Sequence, residues 1–239
     1  VSPPRAAAFW IALVLVAVVA AVGPYLALLD QLPWGADASR WVAEASLDNP
    51  NWWSWATAHR HFVGYRPVTA LSFVFDQAVF GYTAFGYRAT DLVWHAASGV
   101  LVGALWVALT GSRGPAAFVP VLVLLGHPAT EEVVPYVARR SYLLATDFGI
   151  VGLLLVLRAA RTGRLLPALA AAASLGVAVL ANEVAYVLLP LFVAIVWWEG
   201  GDRRGRWRLA LPSLLVCGVA LFVRYLVLGT WSGGYARRY

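Results

Sequence analysis

Gly126-His127-Pro128-Ala129-Thr130-Glu131-Glu132-Val133-Val134, running on to Arg139-Arg140, sets a histidine, two carboxylates and two guanidiniums between two very apolar segments. Charged groups beside membrane-spanning segments are costly and usually have a use. Residues 116–126 before the stretch and 141–157 after it read as transmembrane helices, so the stretch is a polar junction between two spans.

Composition agrees. The chain of 239 residues is 61% hydrophobic and 13% charged, with a mean hydropathy of +0.72. A soluble domain carries about 25% charged residues, so a polytopic membrane protein is expected. The net charge is +6 and every base is Arg. The pI near 9.8 is weak evidence for a nucleic-acid partner, because no basic run is interleaved with aromatics in a soluble domain; none is expected. The single cysteine, Cys217, excludes an intrachain disulfide and a cysteine metal site. The absence of Met is expected of a trimmed chain.

Outward from the junction, residues 9–29 form span one, with Arg5 on the cytoplasmic side. Residues 30–88 form an outer loop rich in Trp, with helices lying in the headgroup layer. Within it, residues 67–80 are apolar but short for a span of about 20 residues, and read as re-entrant or interfacial. Residues 89–109, 116–126, 141–157, 165–181, 184–198 and 209–228 complete about seven spans of a single module covering 1–239, and a polar tail follows. The fold class is therefore all-α membrane protein, in a cytoplasmic (inner) membrane.

With the N-terminus inside, Arg113, Arg158, Arg161, Arg164, Arg203, Arg204, Arg206 and Arg208 fall in short cytoplasmic loops, as the positive-inside rule requires. Of the twelve acids only Glu199 and Asp202 join them. The others, with all four histidines, gather on the outer side or in the outer halves of spans. A reaction chamber at the outer surface would look like this; so would a protein whose outer loops are simply longer.

Asp91 and His95 stand at i and i+4 and share a helix face. Such a pair positions a proton or a phosphate, or fixes helix packing by a hydrogen bond. Asp147, two turns into its span, needs a partner, and an outer-side Arg or His is the natural one. Arg139 and Arg140 point in different directions on a helix; one grips a phosphate or pairs with Glu131 or Glu132. His127 with Glu131 and Glu132 matches no strong metal motif, so no cofactor is expected and a divalent ion stays an unsupported alternative.

Several spacings together resemble a known family. Gly64-Tyr65-Arg66-Pro67-Val68-Thr69-Ala70-Leu71-Ser72-Phe73, then Gly86-Tyr87-Arg88 and His95, are similar to the start of the transmembrane-and-tetratricopeptide mannosyltransferases and their bacterial relatives, of the GT-C glycosyltransferase superfamily. The pattern continues through His127, Pro128, Glu132, Val134, Arg140, Leu143 and Leu144, then Glu183, then Arg224 and Leu228-Gly229. The sequence departs from it where Asp37 is followed by Ala38 instead of a second Asp. It departs again where Thr130 replaces a His, Tyr142 a Glu and Asn182 a Lys.

The resemblance implies a GT-C fold and inverting transfer of a sugar from a polyprenyl-phosphate-linked donor at a site facing outside. It implies that Asp37 is the catalytic base and that Arg66, Arg88 and Arg140 bind phosphate. His127, Glu132, Glu183, Asp91 and His95 would shape the chamber. The implied partners are the lipid-linked donor and membrane lipids. The alternative is a non-catalytic GT-C-like subunit packed against other membrane proteins.

Overall fold

The computed structural model describes residues 3–31, 36–58 and 64–231, with side chains from residue 5 and, in the second segment, from residue 38. Among these residues the chain is all-helical. The helices are α1 (Pro3–Val22), α2 (Ala36–Glu44), α3 (Trp52–Ala58), α4 (Pro67–Phe80), α5 (Ala84–Thr110) and α6 (Phe118–Leu125). They continue with α7 (Pro128–Glu131), α8 (Arg140–Thr162), α9 (Leu165–Ala181), α10 (Leu188–Glu199) and α11 (Arg203–Leu228).

Local chemistry sets the boundaries. Pro67 and Pro128 occupy first helical turns, where a missing N–H costs nothing. Gly111, Gly163 and Gly229 end α5, α8 and α11 in the left-handed conformation, with φ of 70°, 66° and 69°. Asp202 caps α11 by accepting from the Gly205 N–H at 3.1 Å.

Among the described residues, four segments are long and apolar enough to cross a membrane: Arg5–Leu28, Ala84–Thr110, Val137–Thr162 and Arg203–Leu228. This is fewer than the seven spans read from the sequence. Helix α6, at 8 residues, is about 12 Å long against a hydrocarbon core of about 30 Å. Helix α9 has 17 residues. A 3₁₀ turn at Glu183–Val187 takes the first residues of the expected sixth span and leaves α10 with 12. Hydropathy adds the residues on either side of a kink, whereas a helix must carry its hydrogen bonds through it.

Helices α8 and α9, joined through Gly163-Arg164, form the centre, with α10 and α11 packed on them. Small residues permit the close approach. A Cβ on Gly149 would meet Leu188 Cδ1 at 2.5 Å, and one on Gly152 would meet Phe192 Cζ at 2.6 Å. Helix α1 lies against α5 and α6 through Leu13, Ala17, Ala21, Val121 and Leu125. Large apolar side chains such as Val19, Val93 and Val219 face outward, as lipid contact requires.

The expected loop helices form as α2 and α3, but most of their tryptophans turn inward. Trp41 is buried and stacks on Phe73 of α4 at 5.4 Å, and Trp55 meets it edge-on. The Trp55 indole N–H donates to Glu44 at 2.8 Å. Only Trp53 of this group is exposed. The aromatic density therefore builds a small second core over α4.

Candidate functional site

The alternating directions of α8, α9, α10 and α11 bring the start of α8, the end of α9 and the end of α11 together. Thr69 of α4 donates to the Ala181 carbonyl at 3.0 Å, and Asn182 donates to Ser141 at 3.0 Å. Two polar clusters stand at this end of the bundle.

The first is centred on Arg140, whose side chain is fully buried. Its Nε donates to Asp91 Oδ1 at 2.5 Å, and its Nη1 pairs with Asp76 Oδ2 at 2.5 Å. Its Nη2 donates to the Tyr87 carbonyl at 3.0 Å, and the Phe73 ring lies 4.4 Å beneath the guanidinium. Thr90 donates to the other Asp76 oxygen at 2.9 Å. Arg88, also buried, donates to the backbone carbonyls of Gln31 and Pro135. The cluster clamps α4, α5 and α8 with side chains that no solute reaches. Arg140, expected at a phosphate, is buried and engaged with the fold here, and Arg88 and Asp91 are buried as well. A planar guanidinium with two carboxylates and a carbonyl in its plane has little left to offer an anion.

The second cluster is open. Arg66 grips Glu183 bidentately, Nε at 3.1 Å and Nη2 at 2.9 Å, and Arg224 Nη1 stands 3.5 Å from the same carboxylate. Side-chain exposures of 18%, 22% and 7% for Arg66, Glu183 and Arg224 leave the first two reachable. Two guanidiniums against one carboxylate leave a net charge of +1. Gly64 backs the pair, where any Cβ would come within 3.3 Å of Arg66 Nε. Burial pushes the Glu183 carboxyl up, but the Arg66 hydrogen bonds and charge, helped by a backbone N–H and Arg224, outweigh it and hold the carboxyl below its usual range.

A folded-state value below the unfolded one stabilises the protein above the unfolded value of about 4.3, and the contribution is lost as pH falls through the lower folded value. Acid unfolding of the wild type is therefore expected to steepen below pH about 4.3, and Glu183→Gln is expected to flatten that limb. Unfolding midpoints measured in detergent between pH 3 and 6 check this; identical limbs in both proteins would refute it.

An apolar groove opens at the same end of the bundle, between α8 and the start of α10. Tyr142, Gly149, Ile150 and Leu153 of α8 form one wall, and Val184 and Leu188 the other. Val184 follows Glu183 in the chain, while Arg66, Glu183 and Arg224 themselves lie outside the groove's lining.

The opening stretch divides. His127 is exposed; its Nδ1 accepts from the Ala129 N–H at 3.1 Å, capping α7. Glu132 pairs with Arg139 at 3.0 Å on the surface, a contact worth about 0–1 kcal/mol. Neither touches Arg140. His95 is buried against the edge of the Tyr25 ring, with the Leu125 carbonyl nearby but outside hydrogen-bond geometry, and no hydrogen bond joins it to Asp91 among the described residues. Asp147 accepts from Ser98 in place of the expected Arg or His. The Asp37 backbone lies in α2; its side chain is outside the described residues, and so are His59, Arg60 and His61. Among the described residues no group of three or more His, Cys, Asp or Glu gathers as a metal site.

Asp76 is the cluster member that the sequence did not single out. The signal was present: Phe73 and Asp76 stand at i and i+3 on one face of α4, and both side chains meet Arg140. Three of the four departures from the expected pattern also find places. Thr130 closes the α7 turn onto the His127 carbonyl, Asn182 caps the 3₁₀ turn, and Tyr142 lines the groove.

No protein-family model, curated protein or solved structure matches this chain.

Proposed function

We propose that the chain is a GT-C-type module of about seven passes, N-terminus inside, that binds a polyprenyl-phosphate-linked sugar at the outer face of a cytoplasmic membrane and transfers the sugar with inversion. The observation that carries this reading is the part-exposed Arg66–Glu183–Arg224 cluster, with its net positive charge, at the same end of the bundle as an apolar groove. A lipid phosphate needs fixed positive charge, and its isoprenoid tail needs an apolar channel within reach of it. Glu183 holds both guanidiniums until the phosphate arrives, which then takes donors from Arg66 or Arg224. Asp37 in the outer loop takes the proton of the acceptor hydroxyl.

Binding of polyprenyl phosphate to the detergent-purified chain tests this. Arg224→Gln removes a donor that stands 3.5 Å from Glu183 and so leaves the Arg66 pair intact. Losing one charge-assisted contact is expected to weaken binding by about tenfold or more. Equal binding by wild type and Arg224→Gln would remove the phosphate role from this cluster.

A second reading, a non-catalytic subunit of a membrane complex, is favoured by one observation. The Arg88 and Arg140 guanidiniums, which the family resemblance assigns to phosphate, are both buried and engaged with carbonyls or carboxylates of the fold. Co-purification in fixed stoichiometry, with no lipid-phosphate binding, would decide for it.

A further inference from the structure

The opposite end of the bundle carries a feature that sugar transfer does not use. Arg158 near the end of α8, Arg164 before α9 and Arg208 in the second turn of α11 line one cleft of about 720 Å³. That volume lies within the range of about 300–1,000 Å³ typical of ligand sites. The remaining walls are apolar, from Leu155, Leu165, Leu166 and Pro167. Leu166 is 77% exposed, leaving an apolar surface beside the arginines.

The charge here is uncompensated. Two acids stand at this end, and both are engaged elsewhere. Glu199 is held by Arg161 through contacts of 3.2 Å, and Arg161 also donates to the Ala108 carbonyl. Asp202 caps α11. Among the described residues none of Arg158, Arg164 and Arg208 forms an ion pair, and all three are exposed. Helix α9 begins in the cleft wall without a side-chain cap, so the positive end of its dipole adds to the field. Orienting a membrane protein needs only arginines in the loop; it does not need three of them around one cleft between helices.

We propose that this cleft binds one anionic membrane phospholipid, its phosphodiester held by Arg158, Arg164 and Arg208 and its acyl chains lying along Leu165, Leu166 and Leu155. Arginine suits the headgroup because its fork donates two parallel hydrogen bonds to phosphate oxygens. The apolar wall continuous with the charges selects a lipid over a free anion, and basic clefts between helices at the membrane surface recognise acidic headgroups. The proposal is independent of the lipid-phosphate reading at the other end.

Native mass spectrometry of the full chain in mild detergent, titrated with phosphatidylglycerol, phosphatidylcholine or inorganic phosphate, tests it. Phosphatidylglycerol is expected to bind as one retained molecule, at least about tenfold tighter than phosphatidylcholine. That preference is expected to vanish in Arg158→Gln/Arg164→Gln/Arg208→Gln and to fall severalfold in Arg208→Gln alone. It is expected to survive in Arg203→Gln/Arg204→Gln, which removes equal-sign charge at the same end but outside the cleft. An equal loss in Arg203→Gln/Arg204→Gln would reduce the effect to general surface charge and overturn the proposal. So would an unchanged preference in the triple variant, or displacement of the lipid by millimolar inorganic phosphate. If the triple variant does not fold, Arg208→Gln against Arg203→Gln/Arg204→Gln separates the same two outcomes.

Discussion

Replacing Arg140 with Met is expected to cost about 3–5 kcal/mol of stability, because breaking a buried ion cluster from one side leaves its opposite charges uncompensated. Asp76 and Asp91 approach Arg140 from α4 and α5, and their side chains are 0% and 2% exposed. Without the guanidinium, two carboxylates would face each other with no water to solvate them. One must take a proton or the helices must part. Adding Asp76→Asn and Asp91→Asn to Arg140→Met is expected to recover most of the loss, since amides cost far less to bury than unpaired ions. Unfolding midpoints in mild detergent, with retention of monodisperse protein on sizing, check both halves. An Arg140→Met protein as stable as the wild type would mean that the cluster does not clamp α4 and α5 to α8.

Asp37→Asn is expected to lower sugar transfer by about 10²–10⁴-fold, the usual contribution of a positioned general base. Donor binding should stay within about twofold, because the lipid-phosphate contacts assigned to Arg66 and Arg224 are separate from the proton transfer. The measurement is release of labelled sugar from a polyprenyl-phosphate donor by membranes carrying either protein. A full rate in Asp37→Asn would take the base role from Asp37. A wild type that neither binds nor turns over any such donor would end the enzyme reading and leave the subunit reading standing.

The Arg140 cluster shows why part of the site was not legible in the sequence. An arginine thirteen residues after His127 matches a family spacing whether its guanidinium meets a ligand or two aspartates. Nothing in a one-dimensional pattern says that Asp76 on α4 will reach it, because that contact crosses 64 residues of chain. Glu183 was legible as a polar residue at a span junction. That Arg66 and Arg224 converge on it, from 117 and 41 residues away, was not. His127 was legible only as a histidine beside a proline, and its role as a cap appears once the Ala129 N–H is seen donating to its Nδ1.

The sequence by itself determined the all-helical membrane class, through apolar runs that bury their own backbone hydrogen bonds. It also determined the segregation of bare arginine to one end and mixed charge to the other, since charge placement along a zigzag chain survives folding in any detail. The tertiary structure alone decided which apolar runs remain long helices, because kinks at Pro115–Ala117 and Glu183–Val187 interrupt hydrogen-bonding that hydropathy does not register. It alone decided which arginines are spent inside the fold. A guanidinium's availability depends on what lies within about 3 Å of its five donors, and that is a property of packing. The Arg158–Arg164–Arg208 cleft belongs to the same class of fact: three residues read as loop charges become one lined space only when α8, α9 and α11 end side by side.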